Sequence, residues 1–399
     1  MINKNILYGN FSGHRFEISK ASNELVYDIE GKEYIDFTSG WNVANLGWNH
    51  PEINQAIRDQ IEKGTGVAFW HSLEIHNHYA EELTRSLPPE LNTCIRATSG
   101  TEAVEVAIKV ARTFTGRKTI LGFRETYHGQ LFASMALGTP ASQLVSIDPV
   151  VPSIEQLTYP TTDDALVVFL EQLEVRLSKG DVAALVSEPG IVTGWGNVLI
   201  TADGYLKKTQ KLLQKYQVLL IVDEVGTGFS RTGTLFAIEK EGVTPDILVL
   251  GKAIANGAGT IAVTVIKEKL CEPAATTGNL TSTFSWNPLA TAAALKTLQI
   301  HKRDKTWADA VSKGAVLMDM LNKQKDARSI TNVRGRGLEI AVKLKDTPAC
   351  VKVINEAQKM GLLLIGDGEN ILQLMPPLTI SETNLKKALD IFSTVLSSD

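Results

Sequence analysis

The sequence predicts an α/β fold: a large, mostly parallel sheet with helices on both faces, joined to a smaller α+β unit. Three observations predict it. Short runs that are apolar throughout recur at residues 119–122, 182–186, 218–222 and 247–250, as expected of strands buried on both faces. Helical segments separate most of them, as at residues 204–216, and such alternation builds a parallel sheet. The 399-residue length exceeds the usual span of one domain and leaves room for a second unit.

Each element has a local reason. Residues 24–29 and 33–37 flank the turn Glu30-Gly31 and read as a hairpin. Residues 51–63 form a helix after the turn Asn49-His50-Pro51, and residues 75–87 a second, stopped by Pro88-Pro89. Residues 102–114 form a third, with Ala103, Val106, Ala107 and Val110 on one face. Residues 247–266 read as two short buried strands around a special loop. Lys252, Asn256 and three glycines interrupt this stretch, whereas a membrane span needs a continuous run of about 18 apolar residues. Helices at 311–323 and 348–360, with strands at 338–344 and 371–374, make up the smaller unit. We expect three regions: an N-terminal segment, 1–45, packing with the small domain or a partner subunit; a large domain, 46–286; and a small α+β domain, 287–399.

Composition narrows the function. A net charge of −4 offers no electrostatic footprint for nucleic acid. Cys94, Cys271 and Cys350 are three in number and far apart, which argues against a disulfide framework or a structural zinc site and fits a reducing cytosol. The first residues lack the apolar core of a signal peptide. His71, His76 and His78 suggest a metal cluster, but the spacing of His71 and His76 is off the i,i+4 face that helical ligands use; a polar helix start explains them, and no metal is expected. Gly226-Thr227-Gly228 follows a strand as a dinucleotide loop does, but Arg231 breaks the Gly-x-Gly-x-x-Gly spacing.

Four features carry chemistry. Asp223 ends the apolar run 218–222, and ligands bind at the carboxyl ends of strands in such sheets; read alone, it equally caps the next turn. Lys252 follows the run 247–250. A desolvated lysine becomes a nucleophile toward carbonyls, although a snorkelling lysine is the commoner case. Ser99, Gly100 and Thr101 enter a strong helix, where free N–H groups and the helix dipole make an anion site; a plain N-cap is the alternative. Tyr127, in Tyr127-His128-Gly129, can stack on a flat heteroaromatic ring or sit half-buried in a core. A lysine and a carboxylate on neighbouring strand ends suit pyridoxal 5′-phosphate, which needs one for its aldehyde and the other for its ring nitrogen.

Taken in order, the motifs resemble a family. They are Tyr27-Asp28-Ile29-Glu30-Gly31, Gly47-Trp48-Asn49-His50-Pro51, Ser99-Gly100-Thr101-Glu102-Ala103, Tyr127-His128-Gly129, Glu188-Pro189 and Asp223-Glu224-Val225. Gly228-Phe229-Ser230-Arg231-Thr232-Gly233, Lys252, Ser282-Thr283-Phe284 and Met375-Pro376-Pro377-Leu378 complete them. Over nearly its whole length the chain resembles the class III, fold-type I pyridoxal-phosphate aminotransferases, near the omega-aminotransferase and glutamate-1-semialdehyde aminomutase branches. The resemblance implies a transaminase that moves an amino group between a primary amine or amino acid and a keto or aldehyde acceptor. Lys252 would be its Schiff-base lysine and proton shuttle. Asp223 would hold the ring nitrogen, Val225 and Tyr127 the two ring faces, Ser99, Gly100 and Thr101 the phosphate, and Glu188 the 3-hydroxyl side. Thr283 would reach the neighbouring subunit's cofactor, which implies a homodimer with shared sites, and the enzyme would be cytoplasmic, with neither nucleic-acid nor membrane partners.

Departures from the family bear on the substrate. Gln373 stands where many members carry the arginine that clamps an α-carboxylate, and a neutral amide cannot supply that charge-assisted pair. Gly226 replaces a glutamine that bonds the cofactor hydroxyl. The segment 190–196, with Trp195, departs from the usual pattern, and Trp41 falls among pocket-lining positions with Tyr127. Arg15 is a weak substitute clamp, and Arg334 and Arg336 are structural in this family. The alternative outcomes for the same lysine are an aminomutase of the glutamate-1-semialdehyde type and an amino-acid racemase or epimerase.

Overall fold

The structure, a computed structural model, describes residues 16–64, 71–139, 152–194, 198–278, 280–325, 330–366 and 370–397. Arg15 and Trp195 lie outside the described residues.

Its centre is a seven-stranded sheet in the order Leu91–Ala97, Ala262–Lys267, Ile247–Leu250, Leu219–Asp223, Val182–Ser187, Thr119–Phe123, Ile154–Leu157. Ala262–Lys267 runs antiparallel to both neighbours, and the remaining pairings are parallel. The inner strands are buried at every position, as their unbroken apolar runs require. Helix Gly100–Thr115 lays Ala103, Val106, Ala107 and Val110 against one face of the sheet. It ends at Gly116, whose φ of 67° is left-handed, a common glycine stop.

A second core sits on the four-stranded sheet Ile330–Arg336, Glu339–Leu344, Ile371–Leu374, Ile365–Gly366. The N-terminal hairpin of Leu25–Asp28 and Glu33–Asp36 joins a further sheet. There Glu33–Asp36 pairs in parallel with Leu362–Leu363, and Ile35 and Phe37 enter the second core.

Among the described residues, three helices longer than ten residues were not anticipated from the sequence: Asp163–Leu177, Pro288–Asp304 and Glu382–Ser397. The second carried a legible start, because Asn287 caps it by accepting from the Leu289 N–H at 3.0 Å and Pro288 occupies its first turn, a favoured pairing. It begins at the expected domain boundary, and its Ala290, Ala293, Ala294 and Leu298 pack into the first core. Strand Leu91–Ala97 was also missed. Helix Thr306–Lys323 starts five residues earlier than its apolar pattern suggested, directly after the left-handed Lys305.

This topology places the site. Strands Leu91–Ala97, Thr119–Phe123, Val182–Ser187, Leu219–Asp223 and Ile247–Leu250 all end on one edge of the sheet. The loops that follow carry Ser99, Tyr127, Glu188, Val225 and Lys252.

Candidate active site

Asp223 is the last residue of its strand and pairs in register with Val249, three residues before Lys252. Its side chain is fixed twice: Oδ1 accepts from the Val225 N–H at 2.8 Å, and Oδ2 lies 2.7 Å from His128 Nδ1. Both residues are buried. Burial alone favours neutral histidine, but the bond to Asp223 and the charges of Asp223 and Glu188 prevail and hold the His128 pKa above its usual value. His128 and Asp223 thus form a buried hydrogen-bonded pair at the strand end, with His128 Nε2 left unpartnered. His128 stood inside a quoted motif but was given no role from the sequence.

Lys252 opens the short 3-10 turn Lys252–Ala255, with φ of 45°. A lysine held in that region is strained, and such strain collects at functional positions. Burial depresses its pKa, opposed by the carboxylates of Glu188, Asp223 and Glu339; desolvation of this kind frees an amine to act as nucleophile and base. The turn is anchored by Asn256, which accepts from the Leu46 N–H at 2.8 Å and donates to the Gly47 carbonyl at 2.7 Å.

Gly100 and Thr101 begin the helix Gly100–Thr115, and their N–H groups have no acceptor within the helix. Ser99 is the N-cap: its Oγ accepts from the Glu102 N–H at 3.2 Å. Glu102 accepts in return from the Thr98 N–H at 2.7 Å, so the turn is built as a variant of the capping box. A Cβ on Gly100 would stand 3.0 Å from both Val225 methyls, and one on Gly251 would stand 3.4 Å from them. The two bare glycines thus let Val225 lodge between the helix start and the lysine loop.

Glu188 is buried, and its Oε2 accepts from both the N–H and the hydroxyl of Thr193 at 2.8 Å each. Its Oε1 is unpartnered, and burial pushes its carboxyl up to about 7. A Cβ on Gly226 would lie 2.3 Å from Thr193 Oγ1 and 3.8 Å from Lys252 Nζ. The Thr193 hydroxyl therefore fills the space that a side chain at 226 would take, a substitution that only the assembled loops reveal.

Trp41, Gly100, Thr101, Tyr127, Glu188, Asp223, Val225 and Lys252 all line one cavity of about 550 Å³, with His128, Thr193 and Gly226 beside them. Two predicted residues lie outside that lining: Ser99, which caps the helix, and Thr283, which is exposed. Gln373 is buried beneath the site and donates to Glu339. Arg334 donates to the Val198 carbonyl and Arg336 pairs with Glu241 at 2.9 Å, both structural engagements. His76 is buried against the Trp286 carbonyl at 2.6 Å. Among the described residues no group of three potential ligands could hold a metal ion.

The cavity fits pyridoxal phosphate. Its volume lies in the range of small-ligand sites, unpaired helical N–H groups close one end, a lysine stands in the wall, and an aspartate hydrogen-bonded to a buried histidine faces it. Comparison with known proteins agrees. The family model described as aminotransferase class-III matches residues 9–396. The chain is 32% identical over 394 residues to an acetylornithine aminotransferase of Bacillus cereus, covering 98% of this chain and 97% of that one. It is 33% identical over 406 residues to a 4-aminobutyrate aminotransferase of Mycobacterium leprae, covering 95% and 90%. Among solved structures, an (S)-enantioselective omega-transaminase from Thermomicrobium roseum superposes with TM-score 0.89 at 28% identity, covering 96% and 93%. An ornithine aminotransferase from Toxoplasma gondii superposes with TM-score 0.90 at 28% identity, covering 99% and 93%. Fold and site together define a pyridoxal-phosphate-dependent transaminase. The chain belongs to the class-III aminotransferase family.

Proposed function

We propose that this transaminase takes its amino group from a primary amine whose carboxylate is absent, distal or held away from position 373. The observation that carries the reading is the commitment of Gln373, whose amide donates to the buried Glu339 and leaves no cation at that place. A β-amino acid, an amino sugar or a biosynthetic aldehyde fits as a partner in the reaction.

When bound, pyridoxal phosphate supplies an electron sink that lets the carbon bearing nitrogen lose a proton. The chain's residues do the rest. The first-turn N–H groups of Gly100 and Thr101 would hold the phosphate. Val225 and Tyr127 would bracket the ring, and Asp223, hydrogen-bonded to His128, would face its nitrogen. Lys252 Nζ, whose pKa burial depresses, would take the proton from the donor carbon and return it one position along, which requires only local movement of a side chain already in the cavity wall. Glu188 and Thr193 would border the ring's hydroxyl side.

We further propose a cytoplasmic homodimer with shared sites. The support is the exposed turn at Thr283 and Phe284, with Phe284 73% exposed, and three free cysteines. An aminomutase or a racemase would use the same lysine and differ in whether the amino group leaves.

A half-reaction screen tests the reading. Holoenzyme is mixed singly with α-amino acids, β-amino acids, ω-amines and amino sugars, without an acceptor. We expect a donor lacking an α-carboxylate to bleach the visible cofactor band and leave pyridoxamine phosphate, and Lys252→Ala to lack the wild-type band. Preferential bleaching by α-amino acids overturns the donor class. Proton exchange with a persistent band favours racemisation, and an isomerised product without acceptor favours the aminomutase.

A further inference from the structure

Beneath the cavity lies a buried polar bridge that the reaction does not use. Glu339 is 0% exposed, Gln373 0% and Asn42 1%. Asn42 Nδ2 donates to Glu339 Oε2 at 2.6 Å, and Gln373 Nε2 donates to Glu339 Oε1. Gln373 stands opposite Ala341 in the antiparallel ladder, which sets Glu339 diagonally beside it on the same sheet face. Burying a carboxylate and two amides is unfavourable unless all are well satisfied. Here both amide oxygens, Asn42 Oδ1 and Gln373 Oε1, remain unpartnered. An arrangement so poor for stability invites a different reason for its presence.

That reason is next to Asn42 in the chain. Residues Ser39, Gly40, Trp41 and Asn42 have φ of 46°, 61°, 69° and 62°, so the short helical turn Ser39–Asn42 winds left-handed. A tryptophan in that region is uncommon, and such a strained conformation persists only where its surroundings enforce it. The surroundings do so at both ends. Ser39 Oγ donates to the Met375 carbonyl at 2.6 Å, and the bridge holds Asn42. At Gly40 the Trp48 ring comes so close that a Cβ would lie 2.8 Å from it. Trp41 is the member of this turn that borders the cavity.

We propose that the Asn42–Glu339–Gln373 bridge is a positioning device that holds Trp41 in the cavity wall and so selects amine donors with an apolar or aromatic group, rather than a carboxylate, beside the reacting carbon. The selection follows from the chemistry of the wall. Trp41 lines the cavity and offers it an aromatic face, and the residue after it, Asn42, is tied to the buried Glu339. The buried Arg231 donates from Nη1 to the Leu338 and Pro376 carbonyls and from Nη2 to Asn45, with Nε unpartnered, and it does not line the cavity. A donor carboxylate placed against Trp41 meets an apolar ring, and among the described residues lining the cavity no arginine offers it a bidentate partner. This reading rests on the donor preference proposed above, but the positioning step is separable from it.

The test uses holoenzyme, and a visible cofactor band shows first that each variant binds pyridoxal phosphate. Cofactor in the shared cavity quenches Trp41 emission, so the wild-type signal minus that of Trp41→Phe reports the position of Trp41 with no donor present. Asn42→Gly keeps the left-handed backbone accessible and removes the amide; Gln373→Leu breaks the bridge from the other strand. We expect both to lose most of the Trp41 quench. Glu339→Gln replaces either variant if it loses the cofactor band. Donor selection is then read as the ratio of second-order rate constants for 1-phenylethylamine and alanine. We expect wild type to favour the arylalkylamine and each bridge variant to lower the ratio about tenfold. In a Trp41→Ala background the bridge variants should lower it no further, as a double-mutant cycle requires of residues acting through one another. An unchanged quench overturns the positioning role. Independent, multiplicative effects of Trp41→Ala and Asn42→Gly overturn the route through Trp41. A wild type that prefers alanine overturns the donor class while leaving the quench result standing.

Discussion

Glu188 shows what the cavity does to a single side chain. Burial pushes its carboxyl up to about 7, against the His128 charge and the hydrogen bonds from Thr193. The folded protein therefore holds this proton more tightly than the unfolded chain does. By linkage, the stability Glu188 contributes is present below its unfolded pKa and is lost as pH rises through about 7. Glu188→Gln keeps an acceptor for Thr193 and removes the titration. Relative to wild type, the cofactor-free variant should gain stability between pH 5 and pH 8, measured by urea unfolding at each pH. Lys252 and Asp223 were singled out in the sequence because each follows an apolar run, although their roles came from the ordered motifs together and not from either residue alone; the structure sets both in the cavity wall. His128 was given no role, since its partner Asp223 is 95 positions away and sheet order alone brings the two together. Glu339 was invisible for the same reason: Asn42 is 297 positions distant, and a lone acidic residue at the start of a strand looks like any solvated one.

At the scale of elements, two small residues do different work. Ser99 organises the helix start that presents the Gly100 and Thr101 N–H groups. Ser99→Ala should cost about 1 kcal/mol of stability and also weaken cofactor affinity, read by denaturant unfolding and by equilibrium dialysis. Gly314 lies inside the helix Thr306–Lys323, where Gly→Ala ordinarily stabilises by about 1 kcal/mol. Here a Cβ would lie 2.1 Å from the Gly337 carbonyl oxygen, and Gly337, at φ 60°, turns the hairpin between Ile330–Arg336 and Glu339–Leu344. Gly314→Ala should therefore destabilise by about 1–3 kcal/mol, as overpacking does, with a lowered melting temperature as the readout. The central strands could be read because a doubly covered sheet leaves an unbroken apolar signature. Leu91–Ala97 escaped because it is an edge strand carrying Asn92, Thr93 and Arg96 at partly or fully exposed positions, so no periodicity announces it. Glu382–Ser397 escaped because it follows a proline-rich stretch, and its buried Leu385, Ala388, Leu389 and Phe392 were not counted as a face.

For the whole molecule, the exposed Phe284 beside Thr283 sets the expectation for assembly. Light scattering should give twice the chain mass, and Phe284→Asp should shift it toward the single chain, because an unpaired carboxylate buried in an interface is strongly unfavourable. The separation into two cores was legible from the change in pattern after residue 300. That the N-terminal hairpin packs with the small unit was among the expectations, but its parallel pairing with Leu362–Leu363 was not legible, because it joins strands more than 300 residues apart.

That pairing has a bearing on how the protein is made. Ile35 lies opposite Leu362 in a parallel ladder, so strand Glu33–Asp36 emerges from the ribosome early and waits for a partner translated more than 300 residues later. At about 5–20 residues per second, that wait is tens of seconds, far longer than hairpin formation itself takes. Throughout it, Ile35 and Phe37 have no core to enter and one edge of the hairpin has no neighbour. The nascent chain thus carries a sticky strand until Leu362 and Leu363 have been made, and this is the segment that a chaperone would be expected to cover.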